Sequence, residues 1–302
     1  MTAKFVNSSY HTEGETHIPL FRTFGGTDPS MTPWQKMKTM TSTKMADNYN
    51  VNIIQAGDHL LTISDMTGAK ELDPDTLATK GQFVWQDALA KEKLTMITCA
   101  HPTQLPFDKY LYNYDVQLQP AKIGAFYTTR FWRVDTTKEP LRREVVLNLT
   151  TAEPPPYMHQ FGHTPNYFLL FEYPLWWHEM EIPLGVKVLP HMQWDPSRSN
   201  GTKVKVVDKR TWKVVREFTT DPFFAYHHVN SYEEDGHAVV DIMTVPCEKE
   251  PGYTIQGRDP IASCLHMNAF DMETLKTAGF AIPRGTLRRF KATSTPARTP
   301  DT

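Results

Sequence analysis

Three histidines in this 302-residue sequence share a setting that suits metal binding. His101 follows an apolar run, His159 precedes a Gly- and Pro-containing turn and an apolar run, and His227 follows an aromatic run. They lie too far apart in the sequence for a local zinc finger, so a shared site would need ligands from separate sheets. Neutral imidazoles leave the charge of a divalent ion in place and leave coordination positions open, which suits iron that binds O2.

The same pattern has two other interpretations. A histidine beside an aromatic strand is often a hydrogen-bonded packing residue, and 12 histidines make chance triples easy to find. Three histidines and a water molecule also form a catalytic zinc site. The pattern alone therefore leaves open whether the histidines bind a metal, and whether that metal is iron or zinc.

Short apolar or alternating runs recur along the chain and predict the strands that would position these histidines. A Gly57-Asp58 pair between two apolar runs predicts a β-hairpin. Weak helical patterns cover only residues 34–40 and residues 272–278, the second one capped by Asp271. Many short strands with few helices predict an all-β fold, which could be a sandwich, a barrel or a propeller. The clearest predicted strands are residues 94–100, 110–116, 125–134, 143–149, 202–208, 212–218 and 237–243.

The composition excludes some classes of function. A net charge of −2 argues against a nucleic-acid partner. The three cysteines are scattered and form no CxxC pair, which indicates a reducing compartment rather than a disulfide framework. The N-terminal segment lacks the apolar core of a secretory signal, and no apolar run approaches the ~20 residues that span a bilayer. These features predict a cytoplasmic protein.

Six segments resemble the motifs of the carotenoid cleavage oxygenases, and they follow the order that the family has. Thr98-Cys99-Ala100-His101-Pro102 resembles the TAHP motif, residues 157–167 resemble MHSFGxTxNY, and residues 226–234 resemble FHxxNAxEE. Three supporting segments, at residues 47–52, 73–77 and 287–290, resemble TDNxNVN, D-P-x-T-L and LxRY. The resemblance covers roughly residues 5–290.

The resemblance implies a seven-bladed β-propeller, of which this chain would be a part. We expect an incomplete propeller domain over residues 1–290 and a disordered Ser/Thr/Pro-rich tail over residues 291–302. The family's fourth histidine ligand lies near its C-terminus, and the surroundings of His266 do not fit it. We therefore expect a chain that is truncated at both ends. Unpaired sheet edges would make it marginally stable as an isolated monomer.

The resemblance also implies a set of site residues. In the family, four histidines hold Fe(II), and glutamates behind them orient three of the four. Carried over by motif, the metal ligands and catalytic residues here are His101, His159 and His227. His227 is preferred to His228 because it directly follows the aromatic residue of the motif. Asp65 falls where the family places the first of these glutamates, although its side chain is shorter.

The function implied is that of an Fe(II)-dependent dioxygenase. Such an enzyme cleaves a C=C bond of a carotenoid, apocarotenoid or stilbene-like substrate with O2 and gives two carbonyl products. Residues 175–177 and 183–190 match an apolar surface that touches membranes in the family, although a buried core strand explains them equally well. Two alternatives stay open: an inactive propeller fragment that binds a lipid or a protein, and retinoid isomerohydrolase-like chemistry with the same ligands.

Overall fold

The computed structural model describes residues 4–16, 32–41, 46–92, 95–121, 125–176, 193–244 and 286–293. These residues form two compact units, one that ends at Pro155 and one that begins at Pro156. Regular structure is mostly β, which confirms the all-β prediction. The helices are short: α1 (Ser9–Gly14), α2 (Pro33–Thr41), a 3-10 helix (Ala88–Lys91) and α3 (Pro196–Ser199).

The first unit contains two four-stranded antiparallel sheets. One sheet consists of β1 (Asn52–Ala56), β2 (His59–Ile63), β3 (Ala69–Leu72) and β4 (Thr79–Phe83). The other consists of β5 (Thr95–Thr98), β6 (Tyr110–Pro120), β7 (Ala125–Asp135) and β8 (Arg143–Thr151). Strands that are neighbours in sequence pair throughout both sheets. Four-stranded sheets of this kind are the blades of β-propellers.

The two sheets of the first unit share one apolar core. The strand β6 is buried on both faces from Leu111 to Val116, so its two polar residues Asn113 and Asp115 are interior. Arg130 on the neighbouring β7 neutralises the Asp115 carboxylate with a 2.7 Å bond from Nε. The buried apolar side chains of this core are Ala56, Leu61, Ile63, Ala69, Leu111, Trp132, Val134 and Leu141.

The second unit contains three antiparallel sheets among its described residues. In the first, β10 (Tyr167–Glu172) lies between β9 (Gly162–His163) and β13 (Thr202–Asp208), and β14 (Lys213–Thr220) forms the far edge. The second pairs β11 (Leu175–Trp176) with β12 (Gln193–Trp194). The third consists of β15 (His228–Glu234), β16 (His237–Thr244) and β17 (Thr286–Thr293). The strand β10 is buried on both faces, as its continuous apolar sequence requires.

The predicted strands and hairpins agree with this structure over the described residues. Gly57 turns the β1–β2 hairpin with a φ of 58°, which glycine adopts without steric cost. The predicted helix at residues 34–40 is α2. The sequence did not predict α1, β3 or β4. The predicted helix at residues 272–278 and the predicted apolar surface at residues 183–190 lie outside the described residues.

The C-terminal strand reaches further than the predicted domain boundary. The strand β17 ends at Thr293, three residues into the segment that was expected to be a disordered tail. Its backbone pairs with β16 over that stretch, with Lys291 opposite Val239 and Thr293 opposite His237. Main-chain pairing therefore extends the sheet into a segment whose composition indicated disorder. Residues 294–302 lie outside the described residues.

Candidate metal centre

Two of the three predicted ligands, His159 and His227, lie side by side in the second unit. Their ring centroids are 5.3 Å apart and their planes meet at 70°. A ring nitrogen of one lies within 4.8 Å of a ring nitrogen of the other. Nitrogen–metal bonds of about 2 Å would let both imidazoles bind a single ion at this spacing. His159 is buried and His227 is exposed, so the pair lies at the edge of the protein interior.

A tyrosine hydroxyl group forms a hydrogen bond with the ring of His159. The Tyr157 hydroxyl oxygen lies 2.8 Å from Nδ1 of His159, and both side chains are buried. A hydroxyl group can donate or accept, so it accommodates either tautomer of the imidazole. With Nδ1 engaged in this way, His159 would bind a metal through Nε2.

The segment that carries His159 is fastened to the segment that carries His227. Glu233 accepts hydrogen bonds from Thr164 Oγ1 at 2.7 Å, from the Asn166 backbone N–H at 2.8 Å and from Asn166 Nδ2 at 2.8 Å. Gln160 Oε1 accepts a bond of 2.9 Å from the backbone N–H of His228. The two motifs that contain the histidines are thus cross-linked by their own polar residues.

The ionised state of Glu233 and the small size of Gly162 both favour this cross-link. Partial burial raises the pKa of Glu233, but the hydrogen bonds from Asn166 and Thr164 outweigh it and hold the pKa below its ordinary value. Gly162 faces β15 closely: a Cβ there would lie 3.2 Å from Ser231 Oγ and 3.1 Å from Leu169 Cβ. A glycine is therefore the residue that best allows β9 to approach this closely.

Aromatic side chains surround the buried side of the histidine pair. Tyr226 meets the His159 ring edge-on at 5.3 Å, and Phe224 stacks on Tyr157 at 6.2 Å. Thr202 fixes the start of this aromatic run, because its hydroxyl accepts from the Phe223 N–H and donates to the Phe223 carbonyl, both at 3.1 Å. The run from Phe223 to Tyr226 leads directly into His227, and the Tyr226 and His227 rings lie 6.3 Å apart.

The third predicted ligand, His101, belongs to the first unit. It follows β5 and is half-buried. Its backbone N–H donates to Cys99 Sγ at 3.3 Å. Asn52 on β1 donates from Nδ2 to the Ala100 carbonyl at 3.0 Å, and the same nitrogen lies 3.5 Å from Nδ1 of His101. Asn52 thereby holds the turn that presents the imidazole.

Asp65 is buried just after β2, close to the segment that carries His101. Its carbonyl oxygen accepts a 2.9 Å bond from the Thr98 N–H. Burial raises the pKa of the Cys99 thiol well above its ordinary value, and the negative charge of Asp65 raises it further. The Asp65 carboxylate therefore acts on the residue two positions before His101. The expectation that it orients a metal-binding imidazole stays a prediction.

The sequence did not assign a role to Tyr157, Asn52 or Glu233. Tyr157 stands two residues before His159, and its hydroxyl group reaches the ring of that histidine. That spacing is a signal that could have indicated a partner for the imidazole. The bond from Asn52 and the bonds to Glu233 join segments far apart in sequence, and no local pattern predicts them.

A family model described as retinal pigment epithelial membrane protein matches residues 1–299. The chain belongs to this family. It is 26% identical over 207 residues to a carotenoid isomerooxygenase of Galleria mellonella, covering 66% of this chain and 38% of that protein. It is 26% identical over 219 residues to the β,β-carotene 15,15'-dioxygenase of Mus musculus, covering 65% of this chain and 36% of that protein. The chain thus spans less than half the length of these relatives.

Comparison with a solved structure supports the same fold. The cobalt-substituted apocarotenoid oxygenase of Synechocystis matches with a TM-score of 0.61 at 20% identity, covering 82% of this chain and 50% of that chain. With the four-stranded antiparallel sheets, this confirms the prediction of a partial β-propeller. Membership of the carotenoid cleavage oxygenases, which the six motifs predicted, is confirmed as well.

The described part of the predicted membrane-facing surface is packed against the protein. Leu175 is buried, and Trp176 Nε1 donates to the Asp195 carbonyl at 3.1 Å. The Arg198 guanidinium lies 4.4 Å from the centre of the Trp176 ring. Residues 177 and 183–190 lie outside the described residues. Within the described part of the chain, the helices are all too short or too polar to cross a bilayer.

Proposed function

We propose that His101, His159 and His227 are ligands of one ferrous ion in an enzyme that cleaves a C=C bond of a carotenoid or apocarotenoid with O2. The observation that carries the proposal is the His159–His227 pair, whose rings are 5.3 Å apart. Membership of the family and the motif that contains His101 support the third ligand. Relatives named as carotenoid dioxygenases and isomerooxygenases support the reaction class.

The donor set fits iron. Neutral imidazoles bind Fe(II) and Zn(II) alike, but the cleavage of an alkene by O2 requires a metal that changes oxidation state. A ferrous ion supplies the O2 chemistry that no amino-acid side chain provides. In the reaction the double bond breaks and each of its carbons gains one oxygen atom of O2. Two carbonyl groups form and no external reductant is consumed.

The residues of this chain have positioning roles in that proposal. For His159 to bind through Nε2, its Nδ1 must carry the proton and donate a hydrogen bond to the Tyr157 oxygen. Glu233 keeps the His159 segment fixed to the His227 segment through Thr164 and Asn166. The aromatic side chains beside His159 exclude water and provide an apolar surface suited to a polyene.

The test combines metal binding with product analysis. Wild type, His159→Ala and the control His237→Ala, whose histidine lies in the β15–β16 turn region, are titrated with Fe2+ without O2. Each is then given an apocarotenoid and O2, and aldehyde is measured. We expect wild type and His237→Ala to bind iron and form aldehyde, and His159→Ala to do neither. Equal aldehyde from all three proteins overturns the proposal.

Two other outcomes of the same experiment identify the alternatives. Iron binding without aldehyde, but with a change of isomer in a retinyl ester, indicates isomerohydrolase-like chemistry. Absence of iron binding by a folded wild-type chain indicates a module that binds lipid or protein. Either result replaces the dioxygenase proposal.

A further inference from the structure

A cavity of about 210 Å³ lies between the two sheets of the first unit. It is larger than a 150 Å³ cavity that accepts benzene, so it can hold a molecule of one ring. Aromatic and aliphatic side chains form much of its wall, among them Phe83, Trp85 and Leu111. All of its lining residues belong to the first unit, so the cavity is a feature separate from the His159–His227 pair.

Two buried polar atoms that belong to residues lining the cavity lack hydrogen-bond partners among the described residues. They are the Asp115 carboxylate oxygen Oδ2 and the Trp132 indole nitrogen Nε1. Both residues line the cavity, and their side chains are at most 4% exposed. In the register of β6 and β7, Asp115 lies opposite Arg130 and Asn113 lies opposite Trp132. Asn113 and Asp115 are two residues apart on β6, so Asp115 and Trp132 lie on the same face of the sheet. Leaving such buried groups without a partner destabilises the folded protein.

The two atoms have opposite requirements, and this restricts the chemistry of a ligand. The indole N–H needs an acceptor, and the carboxylate oxygen needs a donor. An ammonium group would satisfy Asp115 but offers no acceptor to Trp132. A carboxylate would accept from Trp132 but would face the charge of Asp115 without a proton to donate.

The charged residues around the cavity also disfavour an anionic ligand. Arg130 is already bound to Asp115 Oδ1 and to Glu92, and Arg143 is bound to both oxygens of Asp87. The guanidinium of Arg143 also lies 5.6 Å from the centre of the Trp85 ring. Both cations are therefore committed to existing carboxylates, so an anionic ligand gains no new partner from them.

We propose that this cavity binds a neutral, single-ring molecule that carries a hydroxyl group. The ring packs against the aromatic and aliphatic wall. The hydroxyl group donates to Asp115 Oδ2 and accepts from Trp132 Nε1–H. Water molecules could satisfy the same two atoms, but they would leave the apolar wall in contact with solvent.

The probe is phenol, which is neutral at neutral pH, titrated into the whole chain by calorimetry. Toluene tests the hydroxyl group, and benzoate and benzylammonium test charge. Trp132→Phe removes the indole N–H and keeps an aromatic ring. Trp176→Phe, in the second unit, is the matched control. Asp115→Asn is a second variant, although it disturbs the ion pair with Arg130.

We expect phenol to bind wild type and Trp176→Phe equally and Trp132→Phe about tenfold more weakly, since a buried hydrogen bond is lost. We also expect toluene, benzoate and benzylammonium to bind wild type at least about tenfold more weakly than phenol. Equal affinity of toluene and phenol overturns the proposal. So does unchanged phenol binding by Trp132→Phe, or a crystal soaked in phenol that shows only water in the cavity.

Discussion

The Tyr157 hydroxyl oxygen lies 2.8 Å from Nδ1 of His159, deep in the second unit. The family motifs led us to expect that carboxylates would orient the metal-binding histidines. Here the phenolic side chain of Tyr157 contacts the imidazole nitrogen that faces away from the proposed metal. A phenolic hydroxyl group is a weaker acceptor than a carboxylate, but it fixes the orientation of the ring and can accept from Nδ1–H when Nε2 binds a metal. The metal affinity of the site should therefore depend on Tyr157.

We predict that Tyr157→Phe weakens metal binding by about 10–100-fold, because the Nδ1–H of His159 loses its acceptor. The measurement is a Co2+ titration followed by visible absorption, with the melting temperature of the metal-free protein recorded alongside. Tyr114→Phe, which alters an equally buried tyrosine in the first unit, is the control. A purely structural role for Tyr157 would lower the melting temperature and leave the Co2+ affinity unchanged, and that result would refute the prediction.

A second prediction concerns the cross-link between the two histidine segments. Glu233→Gln retains one acceptor oxygen but places an NH2 group against the Thr164 hydroxyl or the Asn166 amide. We expect a loss of about 1 kcal/mol of unfolding free energy at neutral pH, since Glu233 is partly exposed. The control is Glu217→Gln on the exposed strand β14.

The pH dependence distinguishes this cross-link from simple packing. The folded pKa of Glu233 lies below its ordinary value of 4.5, so its stabilisation is complete above that value. It is lost as the pH falls through the lowered pKa, where both states become protonated. The difference between wild type and Glu233→Gln, measured by urea unfolding, should therefore shrink in acid. A difference that does not change with pH would contradict the assignment.

The sequence predicted the positions of the histidines better than the means by which they are held. Asn166 directly precedes β10, and its side chain binds Glu233 on β15, which belongs to a different sheet. The strand β3 was missed because Ala-Lys-Glu-Leu has helical preference, and tertiary contacts override it. One such contact is the ion pair of Lys70 with Asp47, at 3.0 Å, which allows a lysine to be nearly buried.

A buried ion pair explains why β6 is more deeply buried than its sequence pattern indicates. An alternating pattern such as that of residues 110–116 is typical of a half-buried strand, yet β6 is buried on both faces from Leu111 to Val116. Asp115 is interior because Arg130 lies opposite it on β7. A sequence pattern treats any charged residue in a strand as exposed, and only the pairing of strands shows that two charges neutralise each other.

This buried pair gives a third prediction. Arg130→Met should cost about 3–5 kcal/mol of unfolding free energy, because it leaves the Asp115 carboxylate buried without its counter-charge. Arg133→Met, on the same strand, removes a pair with the exposed Glu144 and should cost at most about 1 kcal/mol. Denaturant unfolding of both variants at neutral pH measures the contrast, and equal costs would contradict the prediction.

The same variant should respond to pH in a defined direction. Burial raises the pKa of Asp115, and the bond and charge of Arg130 oppose this effect. Without Arg130 only the charge of Arg143 still opposes the effect of burial, so the folded pKa of Asp115 rises further above the unfolded value. A buried carboxyl group without a counter-charge destabilises the folded state least when it is protonated. The loss of unfolding free energy caused by Arg130→Met should therefore diminish as the pH falls.

The last prediction links a buried hydroxyl group to the histidine pair. Thr202 holds the Phe223 N–H and carbonyl through its hydroxyl, and the chain from Phe223 leads to Phe224, which stacks on Tyr157. Thr202→Val keeps the shape of the side chain but removes both hydrogen bonds to the Phe223 backbone. We expect a loss of about 1–3 kcal/mol in unfolding free energy together with weaker Co2+ binding. Thr219→Val, on the exposed face of β14, should change neither quantity. Loss of stability with full Co2+ affinity would show that the aromatic run does not position His227.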